Sequence, residues 1–538
     1  VSKVSDGNLK IVYVSPNTPV NYCTMSFGSS GKFYFEVTAT VASALSLGIG
    51  GSKNIELGIG ATSSSAMANV IGYFHDGTLF DQNSTAATYG NASSIGNGEF
   101  VGVAYSVDDD AIWFCDNGTW VDGNGTENSA TVLAQIEAGN TTSAASTDFT
   151  DDQNAWFPFV AAVGDYPTAV FNFGQSAFTG SAPSGFTHLN TATTASPSVK
   201  DGSEYFQTAL YTGQTTAFDV TFSGNSDLAP DWLWFKARSA SSDNFLFDKV
   251  RGALETISSN DTTVEETSTG SMTAFGTDGF SLGDGGSAND INGVAGTTYA
   301  AWGWAANGSG SSNEDGSVNT TATSANTTAG FSISKWTHTT SANYTVGHGL
   351  GAVPKMVIVK TTDQGTNWGV YHSGLAVGKR LLLNGTGAEI TGYWGANTWN
   401  STVFSVGSER DANGSTMVGY AFAEIPSYSS IGIYEGNGSA SGSFIYTGFR
   451  PAWIMCKSID STSDWFIYDS KRLGFNADNN SLFANAVGAE LTADNIDILS
   501  NGFKMRIASD PNVAETFMYM AFAENPFGGD GAAPATAR

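Results

Sequence analysis

Short apolar runs, some alternating strictly with polar residues and some continuous, recur along the whole chain between clusters of Gly, Asn, Asp and Ser, and no window sustains a helical period. Alternation at Gly31-Lys32-Phe33-Tyr34-Phe35-Glu36-Val37 predicts a strand with one face in a core. The continuous run Met356-Val357-Ile358-Val359 predicts a strand covered on both faces, and therefore central in its sheet. Asn117-Gly118, set between Ile112-Trp113-Phe114 and Thr119-Trp120, predicts a tight hairpin, because a type I′ turn needs positive φ at both central positions. The fold class is all-β.

One pattern occurs three times. Pro230-Asp231-Trp232-Leu233-Trp234-Phe235-Lys236 returns as Pro354-Lys355-Met356-Val357-Ile358-Val359-Lys360 and as Pro451-Ala452-Trp453-Ile454-Met455-Cys456-Lys457. Each copy precedes an aromatic strand: Phe245-Leu246-Phe247-Asp248, Trp368-Gly369-Val370-Tyr371-His372 and Trp465-Phe466-Ile467-Tyr468-Asp469. Each module then closes on a third block, Tyr299 to Ala306, Met417 to Glu424 and Phe517 to Glu524. A chain of 538 residues is too long for one core. The expected division is an N-terminal domain over 1–190, related antiparallel β-sandwich modules over 191–308, 329–427 and 428–530, and a tail over 531–538. Small-residue stretches at 191–198 and 307–328 read as linkers. Modules two and three meet near 426–430 without a spacer and are expected to pack directly. The expected whole is a row of separate aromatic-filled sandwiches, an array for binding or structure with no shared catalytic cleft.

The N-terminal motifs run in the order Gly31 to Val37, Phe100-Val101-Gly102-Val103-Ala104-Tyr105, the hairpin from Ile112 to Trp120, and Phe171-Asn172-Phe173-Gly174. That order resembles the SPRY (B30.2-like) family over about residues 5 to 190, which implies a bent β-sandwich and a binding module that uses loops at one end. The long polar loop from Asp122 to Asp152 departs from the family pattern.

Composition narrows the partners. A net charge of −28, from 50 acidic against 22 basic residues, argues against nucleic acid, since phosphate binding needs clustered Lys and Arg. Acidity reads as a device for solubility. Cys23, Cys115 and Cys456 are odd in number and far apart, so they define no disulfide framework or metal pair and read as small core residues. The sequence shows neither an apolar stretch long enough to span a bilayer nor a signal peptide, so no membrane insertion is expected. Val1 in place of an initiator Met reads as a processed or partial chain.

Candidate chemistry is sparse. His75, His188, His338, His348 and His372 sit in no nucleophile-elbow or zinc-binding context and read as turn or edge residues. A glycosidase carboxylate pair cannot be placed from the sequence. Asp108-Asp109-Asp110 and Asp122-Gly123-Asn124-Gly125-Thr126-Glu127 carry oxygen ligands suited to Ca²⁺ without the spacing of an EF-hand, so no cofactor is expected. Lys236, Lys360 and Lys457 read as stems lying over apolar surface, with heads paired to a carboxylate such as Asp248 or Asp469. The aromatic loop Thr391 to Asn400 places Tyr393, Trp394 and Trp399 among turn residues, where exposed rings could stack on sugars; the competing reading tucks the Trp rings into the sandwich. His75, Asp76 and Trp120, at hairpin tips, are further ligand-binding candidates.

Taken with the terminal motif Ala521-Phe522-Ala523-Glu524-Asn525-Pro526-Phe527-Gly528-Gly529-Asp530-Gly531, the module order resembles bacteriophage tail-fibre or receptor-binding proteins. The resemblance implies a protein of the virion surface, a homotrimer that joins other tail proteins and contacts host-surface glycan or protein. A polysaccharide depolymerase and a purely structural fibre or capsid-decoration protein are the alternatives.

Overall fold

The computed structural model describes residues 2–5, 10–13, 21–23, 26–27, 30–39, 45–51, 70–74, 77–81, 84–88, 95–122, 129–147, 149, 156–162, 168–189, 197–285, 291–339, 342–392, 394–395, 399–407, 413–473, 476, 480–492 and 495–526. The chain divides into two compact units, 1–195 and 196–536. Nearly all regular structure is antiparallel strand. Of the expected linker at 191–198, only 197 and 198 fall among the described residues.

In the first unit an eight-stranded and a six-stranded sheet share a core. The alternation at Gly31 to Val37 explains why: Phe33, Phe35 and Val37 of strand Lys32–Ala39 meet Leu45, Leu47 and Ile49 of the other sheet. Tyr34 points to the opposite face, where Ala104, Trp113 and Cys115 are covered by Val132 and Ile136. Those two residues belong to the helix Ser129–Glu137, which lies in the long loop that departs from the SPRY pattern. Nine residues are too few to register as a period in a Gly-rich chain, yet enough to cap one sheet face. The hairpin forms as its sequence predicts, with Asn117 at φ 44° and Gly118 at φ 94°, and with Asp116 paired to Thr119.

The second unit holds the repeats, and here the arrangement differs from the expected row. Each module builds a main sheet in the same order. In module one Phe206–Thr212 and Trp232–Ala237 flank Thr298–Trp304, and Phe245–Asp248 and Gly252–Ser258 follow outward. Phe331–Thr337, Thr416–Phe422 and Met356–Thr361 repeat that order in module two, and Ser429–Glu435, Thr516–Phe522 and Trp453–Ser458 repeat it in module three. The strand after each Pro is therefore internal, as its two-sided apolar run requires.

Alternate residues of that strand serve two different cores. Trp232, Trp234, Met356, Ile358, Trp453 and Met455 enter one cluster common to all three modules. Leu233 and Phe235, Val357 and Val359, and Ile454 and Cys456 turn the other way, each pair into a core private to its module. A two- or three-stranded second sheet covers each private core. The modules are thus not separate sandwiches; their inner faces close on one another because each would otherwise leave a row of large apolar side chains in water. The common cluster is aromatic: Trp232 stacks on Tyr420 of module two at 4.7 Å between ring centroids, and Trp304 meets Trp453 of module three edge-on at 5.4 Å. A buried Trp removes roughly 150–250 Å² from water, on the order of 4–6 kcal/mol each. The expected linker at 307–328 is also partly structured, since Thr320–Asn326 pairs with Phe331–Thr337 as an extra edge strand of module two.

Trp453 touches Phe206, Trp302 and Trp304 of module one as well as Phe522 of its own module. Replacing it by Ala is expected to lower the stability of the whole 196–536 unit by about 3–5 kcal/mol. Differential scanning calorimetry should show the three modules melting together in one shifted transition; a shift confined to module three contradicts the shared core.

Candidate functional site

Two features of the second unit concentrate its buried polar chemistry: the seams between modules, and a cleft on module one.

The seams are closed by the same positions three times. Asn244, Trp368 and Trp465 occupy equivalent places at the start of the aromatic strand. Asn244 Nδ2 donates to the carbonyls of Phe483 and Ala484 in module three; Trp368 Nε1 donates to Ser258 O in module one at 2.8 Å; Trp465 Nε1 donates to Leu382 O in module two at 2.9 Å. Backbone contacts follow the same cycle: Glu265 N donates to Thr362 O, Glu389 N to Ile459 O and Glu490 N to Arg238 O. At each seam the side-chain bond and the backbone bond thus run in opposite directions: by side chains one donates to three, two to one and three to two, and by backbone one donates to two, two to three and three to one.

The repeated Lys residues belong to this closure, and here the expected carboxylate pairing is corrected. Lys236 Nζ donates to Ser242 O and to Ala486 O of module three. Lys360 Nζ donates to Thr366 O and to Thr262 O of module one, and Lys457 Nζ to Ser458 O and Ser461 O. Each head is buried where loop carbonyls converge, and an ammonium with three donors satisfies several of them at once. Burial pulls Lys236 and Lys457 down to about 8.

Asp248 and Asp469 pair instead with the Arg three residues on. Arg251 Nε donates to Asp248, and Arg472 Nε to Asp469 at 2.7 Å. Burial alone would lower the Arg251 pKa; Asp248, with Tyr420 and Glu265, more than offsets it. Burial likewise opposes charge on Glu490, but Arg238, Asn480 and Arg472 hold its carboxyl down at about 2. Across the seams, Tyr420 OH of module two donates to Asp248 at 2.8 Å, and Trp302 Nε1 of module one donates to Asp469 at 3.1 Å. Module two substitutes a neutral pair, His372 for Asp and Leu375 for Arg, and the facing residue is Met520, which has no donor. His372 Nε2 lies 3.3 Å from Tyr519 O instead, and burial pushes this imidazole down to about 4. Both charges are absent together, so neither is left buried alone.

Of the ligand-binding candidates read from the sequence, Trp394 is only 1 % exposed and sits in the private core of module two. Trp399 packs against that core and stacks on Tyr371 at 3.9 Å between centroids. The rings tuck inward because Tyr371 and Phe404 offer faces there, so they form no exposed platform. Trp120 is buried beside Tyr34 and is no hairpin-tip ligand. Tyr393, His75 and Asp76 lie outside the described residues, as do 123–127 of the second acidic turn. In the first acidic turn Asp108 accepts from Gly31 N, and Asp109 pairs with Lys32 and accepts from Ser106. Among the described residues no cluster could hold a metal ion. His338, His348 and His372 lie at or just past the ends of strands and are buried there. Burial pushes the Cys115 and Cys456 thiols up to about 12, which keeps them inert.

Sequence reasoning missed the cleft. It holds about 550 Å³ and is lined by Glu204, Tyr205, Asp227, Asp231, Lys249 and Asn307 among others, with Asn326 of module two at its edge. Asp231 forms its floor, 4 % exposed, with one oxygen 2.8 Å from Lys249 Nζ and the other accepting from Ala306 N at 2.7 Å. The repeat itself carried the signal. Asp231, Lys355 and Ala452 are equivalent, each donating its N–H to the last strand, and that alignment sets Ala306 against Glu424 and Glu524. In module two the Glu carboxylate accepts from Ile431 N, and in module three it pairs with Lys471. Module one has neither side chain, and the space is open.

Two outcomes test the seams. His372 takes up a proton in the unfolded chain near 6.5 but in the fold only near 4. The unfolded chain thus binds protons first as pH falls, and stability present above 6.5 is lost toward pH 4, by on the order of 3 kcal/mol. In urea titrations, His372→Gln should flatten that part of the profile; an unchanged slope contradicts the assignment. Asp469→His and Arg472→Leu should each cost about 3–5 kcal/mol alone. The double variant, which copies module two, should cost less than the larger single change; a sum of the two costs contradicts the pairing.

Comparison with known proteins adds the following. Among solved structures, the SPRY domain of human HERC1 is 14% identical, with 33% of this chain and 94% of that chain covered and a TM-score of 0.24. The TRIM65 PSpry domain is 11% identical, with 32% and 83% covered and a TM-score of 0.22. No curated protein matches. Residues 201–526, which contain every described strand of the three modules, match the family described as Domain of unknown function (DUF7483), and the chain belongs to that family.

Proposed function

We propose that this chain is a binding and structural protein of a bacteriophage surface, which attaches particles to host-surface glycan or protein and does not break bonds. The observation that carries this reading is the use of buried polar groups. Deeply buried ionisable groups of the second unit, among them Lys236, Lys360, Lys457, Arg251, Arg472 and His372, hold strands and modules to one another. A catalytic centre aims such groups at a substrate; here they stiffen a scaffold from which loops project. Weak contacts by those loops, multiplied by copy number on a particle, give useful adhesion. The homotrimer, the neighbouring virion proteins and the extracellular location implied by the tail-fibre resemblance are parts of this proposal.

A purely structural role in a fibre or capsid is the second reading, favoured by the burial of Trp394 and Trp399, which removes the aromatic platform read from the sequence.

Adsorption competition separates the two. Saturating purified chain is expected to reduce adsorption of the particles that carry it, with no new reducing ends released from host polysaccharide. Unchanged adsorption supports the structural role, and released reducing ends would show a depolymerase.

A further inference from the structure

The cleft on module one is the place where the threefold pattern is broken in a way that opens space. In modules two and three a Glu at the position of Ala306 binds its own surroundings. In module one that side chain is missing, while a carboxylate appears on the floor at Asp231 and a Lys beside it at Lys249, where modules two and three carry Lys355 with Ser373 and Ala452 with Ser470. Two coordinated changes that hold a charged pair at the base of a space of about 550 Å³ give module one a feature that its sister modules lack.

The lining fixes the chemistry. Glu204 and Asp227 stand exposed at the rim and make no ion pair with a described residue. With Asp231 they set three carboxylates against the single ammonium of Lys249, so the cleft repels anions. Asn307 offers both a donor and acceptors. Tyr205, half-buried and held edge-on to Tyr428 at 6.1 Å, contributes one aromatic ring. Carboxylates that accept, an amide that does both and one flat apolar face match vicinal hydroxyls and the C–H face of a sugar ring. Phosphate-bearing and acidic sugars are excluded by charge.

We propose that this cleft binds a hydroxyl-rich sugar residue, neutral or carrying an amino group. Its source on a host glycan rests on the adhesion reading above. Glu204 and Asp227 accept from hydroxyl or ammonium groups at the rim, Tyr205 lies under the ring, and Asp231 and Lys249 read the end that reaches the floor.

Saturation-transfer difference NMR on the full chain tests this with glucosamine, glucose and N-acetylneuraminic acid as probes. Transfer is expected to be strongest to glucosamine, weaker to glucose and at background for N-acetylneuraminic acid. Ala306→Glu, which restores the residue that the sister modules carry, should remove the signal. Glu204→Gln with Asp227→Asn, both at exposed positions that spare the fold, should weaken glucosamine about tenfold, to the level of glucose. No transfer to any probe, strongest transfer to N-acetylneuraminic acid, or transfer untouched by both variants overturns the proposal. Adsorption competition then separates it from the adhesion reading. If the Ala306→Glu chain has lost the sugar signal yet still blocks adsorption, the host-glycan source is overturned and adhesion stands. If the wild-type chain binds sugar in the cleft but does not block adsorption, adhesion falls and the sugar site stands.

Discussion

Everything in the second unit depends on burying the inner faces of three similar sheets against each other. Each main sheet carries large apolar residues on both faces, and its small second sheet can cover only one. The other face, with Trp232, Met356 or Trp453 at its centre, has no partner within its own module. Closing the modules in a cycle is the arrangement that gives all three faces a partner, and the rest of the structure follows from it.

Closure creates a second requirement. Where strands of one module end against another, loop carbonyls become buried, and an unpaired buried carbonyl is costly. Indole N–H groups, an Asn amide and Lys ammonium groups meet that requirement at equivalent places around the cycle. This accounts for a few cations placed deep inside a chain of net charge −28. Each ammonium has three donors and can serve several converging carbonyls at once. The ionic cluster of modules one and three can be exchanged for the neutral His372 and Leu375 of module two because its charges leave together. Repetition thus fixes the frame while single positions remain free to diverge, and the cleft beside Ala306 is such a divergence.

Much of this was legible in the sequence, and the rest was hidden for identifiable reasons. Local strand signals are carried by neighbouring residues, so the alternation at Gly31 to Val37, the Asn117-Gly118 turn and the internal strands after each Pro could be read directly. The two-sided apolar strand was also legible, but what covers its second face depends on residues hundreds of positions away. Trp232 meeting Tyr420, and Trp304 meeting Trp453, leave no mark in the local pattern. For the same reason Lys236 appeared to need a carboxylate when its partners are carbonyls, and the aromatic loop left an exposed and a tucked reading of Trp394 side by side until Tyr371 and Phe404 were seen to draw it inward. Alignment of the three copies did hold the cleft, in Ala306 against Glu424 and Glu524, but only once register showed which residues were equivalent.

The central claim is that three modules form one cooperative body around a shared aromatic core. Native-state hydrogen exchange, read by mass spectrometry on peptides spanning Thr298–Trp304, Thr416–Phe422 and Thr516–Phe522, tests it most directly. The account predicts one common opening free energy for the amides of all three strands. Three distinct opening free energies, with any one module exchanging while the other two stay protected, would contradict it.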